Sequence, residues 1–268
     1  MIEVYKKLTE QIKKHDHIFI IAHKNIDLDA FGSAIALYKV LKEFEKECYI
    51  VTSITEENTS ILKAYDHLKR NHVEISFVNE ENYRNYITEQ SMLIVLDTHR
   101  KEMAESITIF DEIKDVMVFD HHIKNNGVIE NTICTYINAH LSSMIEFMVG
   151  YLKYLNKVVS PVVATIMLAG IEVDTNAFNT KTDIGTYEAA AFLARLGADN
   201  IIKQELLQEN KKIYMKRQKL ISNSFHVNND FEICVLDDKI YERKDLAIIA
   251  EELLKFEDVE ASFAIGKT

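Results

Sequence analysis

Three features predict an α/β fold with a largely parallel sheet flanked by helices. Short apolar, β-branched runs alternate with segments of helical period, the pattern of strand–helix–strand units. Ligand-type residues, aspartate and histidine, fall at or just beyond the ends of those runs, where open α/β sheets gather what they bind. Seven glycines and one proline in 268 residues leave few obvious linkers.

Taken in order, residues 1–17 (MIEVYKKLTEQIKKHDH) are polar and helix-like, with no apolar stretch of a signal peptide. IFIIA at 18–22 predicts a buried strand, and DAFGSAIALYKVLKEF a helix over about 30–44. Further strands are predicted at 49–51, 75–78, 92–96 and 116–119. Ser142 or Ser143 would cap a helix reaching about 155. Ser160 followed by Pro161, the only proline, is the arrangement of an N-cap with proline in the first turn, opening a helix that runs toward Asp174. Helices follow over 185–196, closed by Gly197, and over 201–219. The polar segment 222–230 (SNSFHVNND) is the predicted boundary between a catalytic domain at 1–222 and a smaller lobe at 231–268. That lobe would hold a strand at 232–236, a helix at about 244–256 and a strand at about 258–265. Three elements in so short a stretch rarely bury a sufficient core, so the expectation is an incomplete C-terminal lobe.

Composition narrows the function classes. Hydrophobic residues at 47% and charged residues at 27% are those of an ordinary soluble chain. A net charge of -11 disfavours a broad nucleic-acid surface, because phosphate contacts need Lys or Arg. Cys48, Cys134 and Cys234 show no paired spacing, so reduced thiols and a cytoplasmic location are expected. No run reaches the roughly 18 apolar residues of a membrane span.

The chemistry sits in four clusters. His23, Asp27 and Asp29 lie in the turn between the first strand and its helix; Asp97 ends MLIVLD; Asp120, His121 and His122 end VMVFDHH; Asp174 ends LAGIEVD. An isolated Asp after a strand is ordinarily a turn or cap residue. An isolated His is ordinarily a surface or satisfied polar group, and His15, His17, His67, His72, His140 and His226 are read that way. Four strand-end clusters together are a different matter. Imidazole with several carboxylates is hard, mixed ligation that suits two divalent cations, manganese first, with magnesium, iron or cobalt as alternatives. Without thiolates a structural zinc site is not indicated. Two such ions about 4 Å apart can share a carboxylate, activate water and neutralise a phosphoryl group.

These residues carry a family resemblance. HKNIDLDAFGSA resembles the first motif of the DHH superfamily of phosphoesterases, and Asp120–His122 spells the motif that names it. Among its branches the chain is most similar to the catalytic region of GdpP-type cyclic-di-AMP phosphodiesterases. HKNIDLDA, VLDTHRKEMAE, LAGIEVDTNAFNTKT and GTYEAAAFLARLGAD each resemble the corresponding segment, so the likeness covers nearly the whole chain. It implies one metal on His23 and Asp27, a second on Asp29, His121 and Asp174, and Asp97 bridging them. His122 and Arg100 would lie near the phosphate, with Asp97 and His122 as the catalytic pair. Asn25 would orient the first loop by hydrogen bonding its backbone and would stand among the substrate-binding residues, and Asp120 would accept a hydrogen bond from a ligand imidazole. The bland reading of Arg100 is a solvated surface ion pair. Ser142-Ser143-Met144-Ile145-Glu146 matches the family's Ser-Ser-Thr-Ser-Glu helix start only at Ser142, Ser143 and Glu146, where substrate contacts would fall. The family's glycine-rich substrate-gripping segment would follow Thr268, and its membrane helices, PAS-like and GGDEF domains would precede this region. The expectation is therefore a fragment of a parent anchored in the membrane, with this part in the cytoplasm and a homodimer in view.

The implied function is hydrolysis of cyclic di-AMP to linear pApA by a two-metal-activated hydroxide, on a small dinucleotide and no extended nucleic acid. The alternatives are a nanoRNase that cleaves pApA or short oligonucleotides, and a nucleotide-binding fragment without turnover. Inorganic pyrophosphatase activity stands lower.

Overall fold

The computed structural model describes every residue except 56, 57, 229 and 242, and every described side chain except those of 238, 243 and 244. Residue 229, inside the predicted boundary segment, lies outside that description. The chain forms two compact units, Met1–Gln208 and Glu209–Thr268.

The first unit runs α1 (Ile2–Lys14), β1 (His17–Ile21), α2 (Leu28–Glu43), β2 (Glu47–Val51), α3 (Thr59–Arg70), β3 (Phe77–Val78), β4 (Ser91–Leu96), α4 (Ile109–Glu112), β5 (Asp115–Asp120), β6 (Cys134–Ile137), α5 (Met144–Leu155), α6 (Pro161–Asp174), α7 (Ile184–Arg195) and α8 (Asn200–Leu207). Its six strands pair in the order β3-β2-β1-β4-β5-β6, every pair parallel. The chain moves outward from β1 in one direction through β2 and β3, and in the other through β4, β5 and β6. The switch point between β1 and β4 is where a doubly wound sheet opens a crevice at its carboxyl edge.

Alternation along the strands builds two cores. Ile18, Ile20, Met92, Ile94, Leu96, Met117 and Phe119 face a large cluster that includes residues of α1, α2, α5 and α6. Phe19, Ile21, Leu93, Val95, Val116 and Val118 face a smaller cluster with Tyr83, Ile109 and Ile129, supplied by short turns and α4. Strands buried on both faces read as continuous apolar runs, which is why β1, β4 and β5 were legible. One glycine decides a helix contact that matters for the site. A Cβ on Gly170 in α6 would stand 2.6 Å from the Leu28 carbonyl oxygen and 2.8 Å from Asp29 Cα. Its absence lets α6 lie against the first turn of α2, so that Asp174, one turn further on, reaches the neighbourhood of Asp29.

The second unit holds α9 (Lys211–Ile221), β7 (Phe225–Val227), β8 (Phe231–Ile240), α10 (Arg243–Leu253) and β9 (Ala261–Lys267). β8 pairs antiparallel with β7 and parallel with β9. Cys234 and Leu236 pack with Ile221, Tyr241, Ile249 and Leu253, while Phe225, Val235, Phe263 and Ile265 stay exposed.

Three sequence expectations change. The predicted helix over 201–219 is two helices: α8 ends at Leu207, and Asn210 caps α9 by accepting from the Lys212 amide at 2.8 Å. α9 then groups with the second unit, so the division falls at 208/209 and not at 222–230. α3, α4, β6 and β7 have no predicted counterpart: β6 is a half-buried edge strand of only four residues, CTYI. Cys48, Cys134 and Cys234 are free thiols. Among the described residues no helix is long and apolar enough to cross a membrane.

Candidate metal centre

The turn after β1 is shaped by a left-handed residue, Asn25 (φ 59), and stops at Asp27, the N-cap of α2, whose carboxylate accepts from the Ala30 amide at 3.0 Å. The His23 Nδ1 faces the Lys24 carbonyl at 2.9 Å. An Nδ1–H there leaves Nε2 as the ligating nitrogen, and Nε2 lies 3.5 Å from Asp27 and 3.4 Å from Asp97. Asp97 follows β4 with φ 60, a left-handed conformation that Asp tolerates better than most residues. Its amide donates to the Phe119 carbonyl at 2.9 Å, tying it to the end of β5. His121 turns Nδ1 toward the Leu141 carbonyl and Nε2 toward Asp174 (3.0 Å), Asp97 (3.1 Å) and Asp29 (3.7 Å). Just past Asp174, Asn176, Ala177 and Phe178 are all left-handed, closed by the Asn179 amide on the Thr175 carbonyl at 2.9 Å. Such a turn costs roughly 1–2 kcal/mol per residue, and here the stacking of Phe178 on Tyr187 and the buried Thr175 hydroxyl, which accepts from the Phe178 amide, hold it.

Three groups of donor atoms converge within 4.8 Å: His23 with Asp27 and Asp97, Asp29 with His121 and Asp174, and Asp97 with His121 and His122. The first two group the same residues as the division that the family resemblance implies, and Asp97 lies 3.4 Å from His23 and 3.1 Å from His121. Whether the donors suit cations is answered by their unmet demands. Asp97 Oδ1 and His121 Nε2 are buried and, though 3.1 Å apart, form no hydrogen bond with any partner among the described residues. Buried polar atoms are ordinarily paired, so two that share a focus fit an ion between them. Asp29 is fully buried; burial first, then Asp174 and Asp97, push its carboxyl well above the usual range. Burial likewise raises Asp174. Burial by itself opposes charge on His23 and His121, but the facing carboxylates outweigh it and push each imidazole up to about 11. For Asp97 burial opposes ionisation, and His121 with His23 reverse this, holding the carboxyl well below its ordinary value. A site that gathers protons this strongly is one that a divalent cation relieves.

The remaining expected residues divide. His122 and Arg100 line a cleft of ≈ 310 Å³ together with His23, Asp27, Asp97 and Asp120. Arg100 Nε donates to Glu102 at 2.7 Å, so in this state it forms the surface ion pair of the bland reading. The hydrogen bond expected from Asn25 to the loop backbone is not formed among the described residues: Asn25 is exposed, and it shapes the turn by its left-handed backbone conformation instead. Ser142 and Ser143 are corrections. Both are buried: Ser143 is the N-cap of α5, accepting from the Glu146 amide at 3.2 Å, and Ser142 donates to Glu146 at 2.7 Å. Helix capping consumes their hydroxyls, leaving neither on the cleft. Asp120 is a second correction. It accepts from His122 at 2.8 Å and from His99, while the ligand imidazole His121 turns instead to the Leu141 carbonyl. Asp29 carries a task not foreseen: its two oxygens accept the Met144 and Ile145 amides at 2.8 and 3.0 Å, anchoring the first turn of α5. His99 was missed as well, although it lies two residues past Asp97 in the quoted VLDTHR segment.

A relative of the chain is the cyclic-di-AMP phosphodiesterase GdpP of Geobacillus thermodenitrificans, 33% identical over 264 residues, which cover 97% of this chain and 40% of that protein. The bifunctional oligoribonuclease and PAP phosphatase NrnA of Mycoplasma genitalium is 24% identical over 235 residues, 87% of this chain and 70% of that protein. The chain therefore spans well under half of GdpP. An exopolyphosphatase-related protein from Bacteroides fragilis shares the fold, with a TM-score of 0.75 at 17% identity over 95% of this chain and 77% of that one. The family model described as DHH family, N-terminal domain, matches residues 17–171. That stretch holds every ligand candidate but Asp174, which lies just past its end: the chain belongs to the DHH family.

Proposed function

We propose that this chain is the catalytic part of a metal-dependent phosphodiesterase that hydrolyses cyclic di-AMP to linear pApA. The observation that carries the reading is the pair of donor groups meeting at Asp97, His23 with Asp27 on one side and Asp29, His121 and Asp174 on the other. Bound there, two divalent cations, manganese first, would supply Lewis-acid polarisation of the phosphoryl group and an activated water at neutral pH. Asp97 would orient both halves of the site. His122, half-exposed in the cleft, would present Nε2 to the leaving oxygen, and Arg100 would turn from Glu102 to a non-bridging phosphate oxygen. In the reaction a water oxygen bonds to phosphorus, the bond from phosphorus to the 3′ oxygen breaks, and that oxygen takes up a proton.

The choice of cyclic di-AMP rests on the 33% identity to GdpP along almost the whole chain. A second reading, cleavage of pApA or short oligoribonucleotides, is supported by the likeness to NrnA, of which the chain spans the larger share. Turnover of cyclic di-AMP, pApA and a short oligoribonucleotide, side by side with manganese, separates them. The expected result is fastest release of pApA from the cyclic substrate. Faster cleavage of pApA would transfer the assignment to the second reading, and binding without turnover of any of the three would overturn both.

A further inference from the structure

Asp120 is 1% exposed and serves two imidazoles at once, His122 on Oδ1 at 2.8 Å and His99 on Oδ2. It also accepts the His122 amide at 3.1 Å. His99 is itself buried, and its other ring nitrogen, Nε2, faces the Asn125 amide at 3.3 Å. An amide N–H can only donate, so Nε2 accepts and Nδ1 carries the hydrogen given to Asp120. The ring thus spans from the backbone of the 121–126 loop to the carboxylate. Its partner His122 is the opposite in exposure, with 52% of its side chain open to the cleft. With Nδ1 held by Asp120, the remaining nitrogen of His122, Nε2, has no hydrogen-bond partner among the described residues and faces what the cleft admits.

We propose that His99 is a positioning residue for the phosphodiester chemistry: through Asp120 it fixes the ring of His122 so that Nε2 is aimed at the substrate. The inference rests on the proposed phosphoesterase reading and deepens it. Both contacts with His122 fall on Oδ1, so the plane of the carboxylate about that oxygen, and with it the tilt of the imidazole, is set by what holds Oδ2. His99 holds it from the buried side, where among the described residues no other hydrogen bond reaches Oδ2. Its ring edges the same cleft, but both of its nitrogens are engaged, by Asp120 and by the Asn125 amide, and it belongs to none of the three donor groups, so its loss should appear as misalignment and not as loss of metal.

The test compares His99→Ala with His99→Asn in the full chain. An asparagine amide places a donor close to where Nδ1 stands. For His99→Ala the expected result is a kcat lower by about 10–100-fold with KM and manganese stoichiometry unchanged; for His99→Asn, kcat stays within about threefold of the parent. Long-range proton–nitrogen spectra of the His122 ring give a readout independent of turnover: its Nδ1 resonance should move in the alanine variant and return in the asparagine variant. If the parent hydrolyses no phosphodiester but the His122 signal behaves this way, the functional reading falls and the positioning stands. An alanine variant with parental kcat and an unmoved His122 signal would overturn the proposal. So would an asparagine variant that melts like the parent yet loses as much activity as the alanine one.

Discussion

The two halves of the candidate centre differ in depth. His23 and Asp27, on the turn after β1, have side chains 19% and 40% exposed, whereas His121 and Asp29 are at 1% and 0% and Asp174 at 14%. The outer half is made by one short turn and a helix cap, tied to the 103–105 segment by the Lys24 amide on the Met103 carbonyl at 2.8 Å and the Glu105 amide on the Ala22 carbonyl at 2.9 Å, so it depends on a few backbone contacts near the surface. The inner half needs β5, α2 and α6 together, and α5 is stitched to it through Asp29. An ion in the outer half would exchange with solvent easily. One in the inner half would be linked to the packing of the whole helical layer, because binding energy at a buried site is folding energy.

The largest test of that contrast is its shared member. Asp97→Ala should release both ions and lower turnover by about 10³-fold or more, since each cation contributes several kcal/mol to a phosphoryl transition state. Metal analysis after gel filtration reads the first effect and phosphodiester turnover the second. Next come the separate halves. His23→Ala should keep about one manganese per chain and most of the thermal stabilisation that manganese confers, while Asp174→Ala should lose the greater part of that stabilisation. Equal losses in calorimetry would erase the distinction between outer and inner ions.

A smaller effect concerns pH. His23 and His121, each pushed up to about 11 by the facing carboxylates, are protonated in the metal-free protein at neutral pH, and a cation must displace those protons. Manganese affinity should therefore rise with pH, by about tenfold per unit for each proton released, between pH 6 and 9. Titration calorimetry in buffers of different ionisation enthalpy counts the protons; a flat profile would mean that the imidazoles bind from the neutral form. The smallest expected effect tests the boundary between site and scaffold. Ser143→Ala removes the cap of α5 and should cost about 1 kcal/mol in thermal or denaturant unfolding, leaving KM unchanged. A rise in KM alone would return Ser143 to the substrate.

Much of this was legible because strands buried on both faces write themselves as apolar runs, and the residue after such a run stands at the carboxyl edge of the sheet. His23, Asp97 and His121 could be placed that way. β6 escaped because a four-residue run, CTYI, is too short for its period to mark it as a strand, and the break between α8 and α9 escaped because its capping residue, Asn210, sits inside a segment that otherwise keeps helical period. His99 escaped for a different reason: a histidine that orients another through a carboxylate leaves no spacing to read, since Asp120 lies 21 residues away.

Sequence alone determined which residue types stand at the ends of β1, β4 and β5, and hence that hard cations and phosphoryl chemistry were in prospect. Only the tertiary structure decided what each hydroxyl and imidazole does with its hydrogen-bonding capacity. Ser142 and Ser143 spend theirs on α5, and His99 spends its own on Asp120. The missing side chain of Gly170 brings Asp174 against Asp29. Residue identity fixes which donors and acceptors exist, and pairing among buried groups is settled by which elements the packed core brings within about 3 Å of one another.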